Sequence, residues 1–415
     1  MTAGPSEPLW DIVEEHLDEA EFLWEQWEAA LVAPNYVLRE VEDGPEARLL
    51  AHVDGLVVNG PLVAERLLLP TIADIDAEPA RIRAAALALL QTPGDEGFEA
   101  VFAELHASPS QRPELARALE CWERGPLQPR LGPLLDAEEV DLRHAAARVL
   151  GFHGEALGEV IPRMLASDLS LDRSLGLRLI PRWAGGARHT REVIAGLAAG
   201  DPDVRDEALT TGAILELPQA WQLARDLVDA ADPGAGQALL LLALRGDPAD
   251  RLAISAATAT DTLRGAGLWA LGFLGTLEAI EAAMPWLEDP THGRIAGEVI
   301  AAITGVDLED ADLTRAPEET EALEHRPEDD LPVPDAMKLL IWWRANRARF
   351  TVGPRYLAGR PHDAAGLRAA LEEGPMRRRA AHLLALQLGV PADRRPVLSL
   401  MAPSRRQRQE LAALR

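Results

Sequence analysis

One cysteine, Cys121, stands among 415 residues, which rules out an intrachain disulfide and fits a reducing, cytoplasmic setting. Aromatic residues make up only 4%. Together with the scarcity of β-branched residues, this leaves little for strands and favours helix. The opening Met1-Thr-Ala-Gly-Pro-Ser-Glu-Pro8 lacks the basic and apolar regions of a secretory signal. The longest charge-free apolar stretch, 265–277, is too short to span a bilayer. No phosphate-cradling GxxxxGK[ST] or GxGxxG loop, no GxSxG elbow and no HExxH helix occurs. Ten histidines are scattered without a ligand-like spacing, and only His153-Gly154-Glu155 approaches a His-Glu pair. The sequence therefore predicts no catalytic residue, no metal and no cofactor.

What is present is aliphatic and acidic. Hydrophobic residues reach 47%, and the formal net charge is −26. A body this acidic repels phosphate backbones and disfavours nucleic acid as a partner. The charge is uneven. Residues 338–415 hold 16 Lys plus Arg against 5 Asp plus Glu, leaving 25 basic against 62 acidic residues in 1–337. The basic C-terminal fifth is either an internal complement to the acidic body or a docking surface for an acidic partner.

A repeat runs through the middle of the chain. Asp141-Leu142-Arg143, Asp203-Val204-Arg205 and Asp261-Thr262-Leu263-Arg264 each lead into small and large apolar residues and then glycine, at Gly151, Gly212 and Gly272. Weaker copies sit at Arg83, Arg112, Arg173, Gln237, Arg294 and Arg378. Successive anchors from Arg83 to Arg294 are 27 to 32 residues apart. That length suits two helices of about ten to twelve residues with two tight turns. Asp201-Pro202, Asp232-Pro233, Asp247-Pro248 and Asp289-Pro290 place an N-cap acceptor before a residue preset for a helical turn. The repeated Asp is expected to cap its own helix, and the Arg to reach a carbonyl or Asp of the adjacent repeat as a rung of a ladder. The predicted fold is all-α, an α-solenoid of HEAT-like helical hairpins, which bury their apolar faces only by stacking.

The ends differ from the array. Trp10, Val13, Leu17, Ala20, Trp24, Trp27 and Leu31 form an apolar stripe on one long helix. This predicts a capping helix, or alternatively a helix whose tryptophans engage a partner. Residues 305–335 hold 12 Asp plus Glu with several prolines, which predicts an exposed, mostly flexible linker. The expected organisation is an N-terminal cap over 1–70, repeats over 71–304, the acidic linker over 305–335 and a basic, aromatic-containing helical cap over 336–415. In that last cap, Trp342, Trp343, Arg347, Arg349, Arg355 and Tyr356 combine guanidinium groups with aromatic rings. They are the candidate protein-binding residues, since such groups anchor interfaces and stack on one another. The competing reading packs Trp343 and Phe350 into a C-terminal core. His16 and His52 are expected to tie the first helices together by hydrogen bonding.

The repeat resembles HEAT repeats of the short bacterial kind seen in phycobilin-lyase-like proteins. A more specific resemblance lies at the ends. His16, Glu19, Phe22-Leu23-Trp24, Arg48, Ala51-His52, Asp54-Gly55-Leu56 and Gly60 form one part of it. Thr304-Gly305, Leu331-Pro332, Trp342-Trp343, Arg349-Phe350, Arg355-Tyr356-Leu357, Gly359-Arg360-Pro361 and Arg379-Ala380-Ala381 form the other. These residues resemble an uncharacterised proteobacterial family of HEAT-like proteins, associated with gene clusters that carry type VI secretion components and effectors. The resemblance implies an adaptor or chaperone for a secreted effector, or an immunity protein that holds a toxin. It defines no catalytic residue. The expected partner is a protein, with no nucleic acid and no membrane. An enzymatic alternative, a HEAT-like DNA glycosylase or bilin lyase, would require a deep pocket on which a carboxylate and aromatic side chains converge.

Overall fold

The structure, a computed structural model, describes residues 8–155, 157–182, 186–317 and 326–414. Helices follow one another almost throughout. The described strands are a single antiparallel hairpin pairing Tyr356–Leu357 with Arg360–Pro361. The fold is all-α, an α-solenoid of HEAT-like helical hairpins. The chain divides into two compact units whose boundaries cut across the expected ones. Residues 1–32, 38–164 and 398–413 form one unit, and 33–37 with 165–397 and 414–415 form the other.

In the first unit, Pro79–Gln91, Arg112–Glu120 and Val140–Phe152 stack side by side as an inner row, and the Glu96–Ala107 helix packs outside it. The Trp10–Ala30 helix seals the first end, packing on Ala47–Val58 and Pro79–Gln91. Val13, Leu17, Ala20, Trp24, Trp27 and Leu31 are buried there. This is the expected cap. Its polar flank is tied by Arg83 to Glu28 and Glu114, and by Arg117 to Glu28 and Glu120.

The last helix, Ser404–Ala413, belongs to this first unit. It docks by specific polar bonds. The Glu46 carboxylate, 4% exposed, accepts from the Ser404 N–H and Oγ and from Trp27 Nε1 at 2.8–3.0 Å. A π-type widening over Glu42–Glu46, where Pro45 has no N–H to donate, precedes it. Burial holds the Glu46 carboxyl above its ordinary range, although three donors pull the other way.

The second unit repeats the plan with Ser170–Leu179, Pro202–Ile214, Gly236–Arg245, Arg264–Leu274 and Gly293–Thr304 as its inner row. Thr190–Leu197, Pro218–Asp229, Arg251–Ala257 and Leu277–Ala283 are the outer partners. The C-terminal pair Ala364–Glu373 and Arg379–Gln387 packs on itself, and its second helix lies against Gly236–Arg245. Leu357, Leu367 and Ala370 make its small core.

The repeated Arg acts only in part as expected: Arg205 reaches the Gly234 carbonyl of the next repeat at 3.3 Å, and Arg83 and Arg112 reach next-repeat carboxylates at Glu114 and Glu139. At Arg112, Arg143, Arg173 and Arg264 the guanidinium donates to a carbonyl six residues upstream, at His106, Ala137, Ser167 and Thr258 respectively. These four arginines satisfy carbonyls orphaned where the previous helix or turn ends, and Arg112 also bonds Glu139 of the next repeat at 2.6 Å. Cross-links between successive inner helices come both from the anchor positions Arg83, which pairs with Glu114, and Gln237, and from other side chains. Arg148 bonds Glu120 at 2.7 Å, Arg178 bonds Glu207 at 2.7 Å and Gln237 bonds Thr210 at 2.8 Å. Asp201 caps its helix at the Asp203 and Val204 N–H groups. In the other three Asp-Pro pairs the Asp accepts from the residue two ahead and shapes the turn before the helix. Asp261 pairs with Arg264 instead of capping.

The same guanidinium-on-carbonyl contact recurs over longer distances. Arg355 donates to the Ala243 and Leu244 carbonyls and to those of Phe273 and Leu274, at 2.8–3.1 Å, so that one side chain closes two helix C-termini. The neighbouring backbone continues the pattern. The Tyr356 N–H donates to Gly275 O, and those of Ala358 and Gly359 donate to Ala302 and Ile303. Gly275, Gly305 and Gly359 take positive φ here, and a Cβ at Gly305 or Gly359 would strike facing backbone within 2.6 Å. Arg395 reaches Pro181 O at 3.1 Å and Ile214 O at 3.4 Å. In the first unit, Arg406 reaches Phe152 O at 2.9 Å, and Arg124 donates to Gln91 O and Thr92 O. The basic C-terminal region is thus largely an internal complement, in which cations sit on the negative ends of helix dipoles.

The acidic segment expected to be mostly flexible is packed at both described ends. Thr314 bridges Pro334, the Arg315 N–H donates to Val333 O and the Asp335 N–H to Leu313 O. Leu308, Leu313 and Leu331 are buried. Apolar leucines between the carboxylates supply the anchoring that the charge count concealed. Residues 318–325 of that segment lie outside the described residues.

Replacing Arg355 with Met should destabilise the fold by about 2–4 kcal/mol in urea melts, because buried carbonyls lose a charged donor. Arg355→Lys should recover less than half of this, since an ammonium cannot reach two helix ends at once. Glu46→Gln tests the pH linkage. The folded-state Glu46 value lies above the ordinary 4.5. Its stabilising contribution is therefore full at low pH and fades as pH rises through the folded value. Urea melts from pH 4.5 to 7.5 should show a flatter stability profile for the Gln variant than for the parent.

Candidate protein-binding surface

Asp335 starts the Ala336–Asn346 helix by accepting the Lys338 N–H at 3.0 Å, and Asn346 closes it by donating to Trp342 O at 2.9 Å. A tight turn over Arg347–Arg349 follows, then Phe350 and the Tyr356–Leu357 strand. Trp343, 3% exposed, stacks on Phe350 with 5.8 Å between ring centres. Phe350 meets Tyr356 edge-on at 5.0 Å. The Tyr356 hydroxyl bonds the Thr351 hydroxyl at 3.1 Å and accepts the Thr351 N–H at 3.0 Å, which together hold the phenol below its ordinary value.

The six sequence-selected residues therefore separate. Trp343 is buried in the cap, and Arg355 and Tyr356 are half-buried. Burial, with Arg251 nearby, pulls the Arg355 guanidinium down to about 10, still protonated at neutral pH. Trp342 is half-buried. Only Arg347 and Arg349 point outward. Arg347 forms an exposed pair with Glu281 at 3.1 Å, and Arg349 donates to Asn346 Oδ1 at 3.3 Å.

Two outward apolar residues were not among the selected six. Met337 is 65% exposed and Ile341 is 60% exposed. They lie four apart on the helix face that continues through exposed Arg344, Ala345 and Ala348. A signal for them exists in the sequence. Residues 337–343 are apolar at every position except Lys338, so a helix there is apolar on all sides, while one neighbouring layer can bury only part of its circumference.

A second feature of this unit is an open cleft of about 390 Å³ lined by Trp269, His292, Ile295, Arg326, Glu328 and Arg377. Arg377 lies 4.4 Å from the Trp269 ring centre and pairs with Glu328 at 3.1 Å. His292 Nδ1 is 3.0 Å from Asp289. Nearby, Glu298 pairs with buried Arg378 at 3.3 Å, and Arg378 stacks on Phe273 at 3.9 Å. The carboxylate lining the cleft is thus committed to an ion pair.

Several described histidines have structural partners. His16 and His52 face each other through Nδ1 at 3.1 Å and link Trp10–Ala30 to Ala47–Val58, with Gly55 leaving room for the His16 ring. His153 bonds Leu119 O at 3.0 Å and Arg406, and burial holds it below its ordinary value. Burial also pushes His362, beside Arg355, down to about 4. Among the described residues, no three His, Cys, Asp or Glu side chains converge as a metal site. No single described helix is long and apolar enough to cross a membrane.

No protein-family model matches the chain, and no curated protein does. Solved structures that it resembles include an engineered protein, at 16% identity over 89% of this chain and 98% of that one, with a TM-score of 0.32. Kap95p, from a structure concerned with its binding to RanGDP, is similar at 12% identity over 88% of this chain and 50% of that one, with a TM-score of 0.31. Human deoxyhypusine hydroxylase is similar at 16% identity over 68% of this chain and 94% of that one, with a TM-score of 0.20. Likenesses of this size carry no argument about partner or activity.

Truncation should separate the inward residues from the outward ones. Trp343→Ala is expected to cost about 3–5 kcal/mol in a urea melt. Met337→Ser and Ile341→Ser should each change stability by no more than about 0.5 kcal/mol, as exposed substitutions do.

Proposed function

We infer that the protein is a scaffold that binds another protein, and that the outward face of the Ala336–Asn346 helix is a binding surface. The observation that supports this reading is the stripe of Met337 and Ile341, solvent-facing and flanked by Arg344, Arg347 and Arg349. An apolar centre with a guanidinium rim is the usual composition of an interface anchor. The family resemblance at both ends of the chain supports a finer reading. The partner is a type VI secretion effector, for which this chain serves as cytoplasmic adaptor or chaperone. A second reading, an immunity protein that holds a toxin, uses the same surface and differs in outcome, because the bound partner would be inhibited instead of delivered.

An enzyme of the glycosylase or lyase kind is the remaining alternative, and the cleft beside Trp269 is where it would act. The Arg377 pairing of Glu328 supports the non-catalytic reading, because a general acid or base needs a carboxylate that is free to exchange a proton. The acidity of the body supports a protein partner over nucleic acid.

Co-expression with the products of neighbouring genes, followed by affinity capture, tests the proposal. Ile341→Asp and Met337→Asp should each reduce capture of the bound product at least about tenfold while leaving helicity unchanged. Capture that neither substitution affects would place the binding surface elsewhere, and failure of every neighbour to bind would remove the adaptor and immunity readings together.

A further inference from the structure

The outward stripe has a complement within the same chain. On the Trp10–Ala30 helix, Ile12, Glu15, Glu19 and Phe22 fall on one face at spacings of three, four and three residues. Phe22 is 52% exposed and Ile12 is 47% exposed, so this face remains unused within one copy, as the Met337 and Ile341 face does. One stripe is apolar and acidic, and the other is apolar and basic.

Their charged positions match when the helices run antiparallel. With Phe22 set against Ile341, Glu19 lies three residues away on one helix and Arg344 lies three residues away on the other, about 4.5 Å along each axis. Glu15, seven residues from Phe22, then falls by the Arg347–Arg349 turn, six to eight residues from Ile341. Asp11, Glu14 and Glu25 are exposed at the margins of the acidic face and extend the complementarity.

We propose that the Ile12–Phe22 face of one copy docks on the Met337–Ile341 face of a second copy. This rests on reading the latter face as a docking surface, for which a second copy and the partner protein then compete. The contact is heterologous, because each copy offers a different face to its neighbour, so one docked pair still leaves one acidic and one basic stripe open for further copies. A single helix face on each side places it at the small, weak end of interface sizes. Its charge pairs lie at the rim, where salt screens them.

Sedimentation velocity of the full chain, from about 1 to 100 μM at 50 and 500 mM salt, tests this. Association should appear in the micromolar range at low salt and weaken about tenfold or more at high salt. Arg344→Glu and Glu19→Arg should each sediment as monomers, and an equimolar mixture of the two should associate again, because each supplies the face the other lacks. This recovery also shows that neither variant is misfolded. A parent protein that stays monomeric at 100 μM in low salt would overturn the proposal, and so would association indifferent to both substitutions. A monomeric parent that co-sediments with phosphatidylserine vesicles would overturn it in favour of a lipid surface. A monomer that still captures a co-expressed partner through Ile341 would remove the second copy as occupant and leave the scaffold reading standing.

Discussion

The guanidinium group seated on a helix's last carbonyls is the contact on which this architecture depends. A stack of short helices ends many times, and every C-terminus leaves carbonyls without intrahelical donors together with the negative pole of a dipole. Here arginine supplies both the donors and the charge. Arg112, Arg143, Arg173 and Arg264 close the turn just upstream of their own helix. Arg355 and Arg395 each close two helix or turn ends in the second unit, and Arg406 closes the Val140–Phe152 helix in the first. The planar fork suits this task, because several N–H groups diverge from one rigid cation.

That constraint accounts for the charge asymmetry of the chain. The carbonyl-bearing ends offer partial negative charge without acidic side chains, so a basic C-terminal region can be complementary to the array even where no Asp or Glu faces it. It also narrows where a partner can bind. Arg378 and Arg379 are buried, Arg355 is half-buried, and the second C-terminal helix lies against an inner-row helix of its unit. Outward basic groups include Arg344, Arg347 and Arg349, beside Met337 and Ile341, and elsewhere in the region Arg360, Arg394, Arg405 and Arg408. The exposed positive surface is therefore smaller than a count of positive residues suggests, and beside Met337 and Ile341 it borders an apolar stripe.

The candidate surface was legible in part. The sequence located the segment, because tryptophans beside arginines are rare in this chain. It did not separate Trp343 from Ile341, since both are large and apolar and only the layer packed against the helix determines which is covered. It also misjudged the acidic segment at 305–335. There the charge count predicted flexibility, but Leu308, Leu313 and Leu331 lie between the carboxylates and anchor the described ends.

Sequence alone determined the class of fold. Recurrence near thirty residues, with Asp-Pro and Gly at the breaks, requires helical hairpins, because local propensity and turn chemistry act over a few residues and need no distant partner. It determined the N-terminal cap as well, since the stripe from Val13 to Leu31 has meaning only as one buried helical face. Tertiary structure alone decided where the C-terminal arginines go and which unit the last helix joins. The Ser404 N–H finds the Glu46 carboxylate across a separation of 358 residues. A carbonyl acceptor is present at every residue and leaves no mark in the sequence, so the pairing of a guanidinium with a helix end is settled only when packing brings the two together.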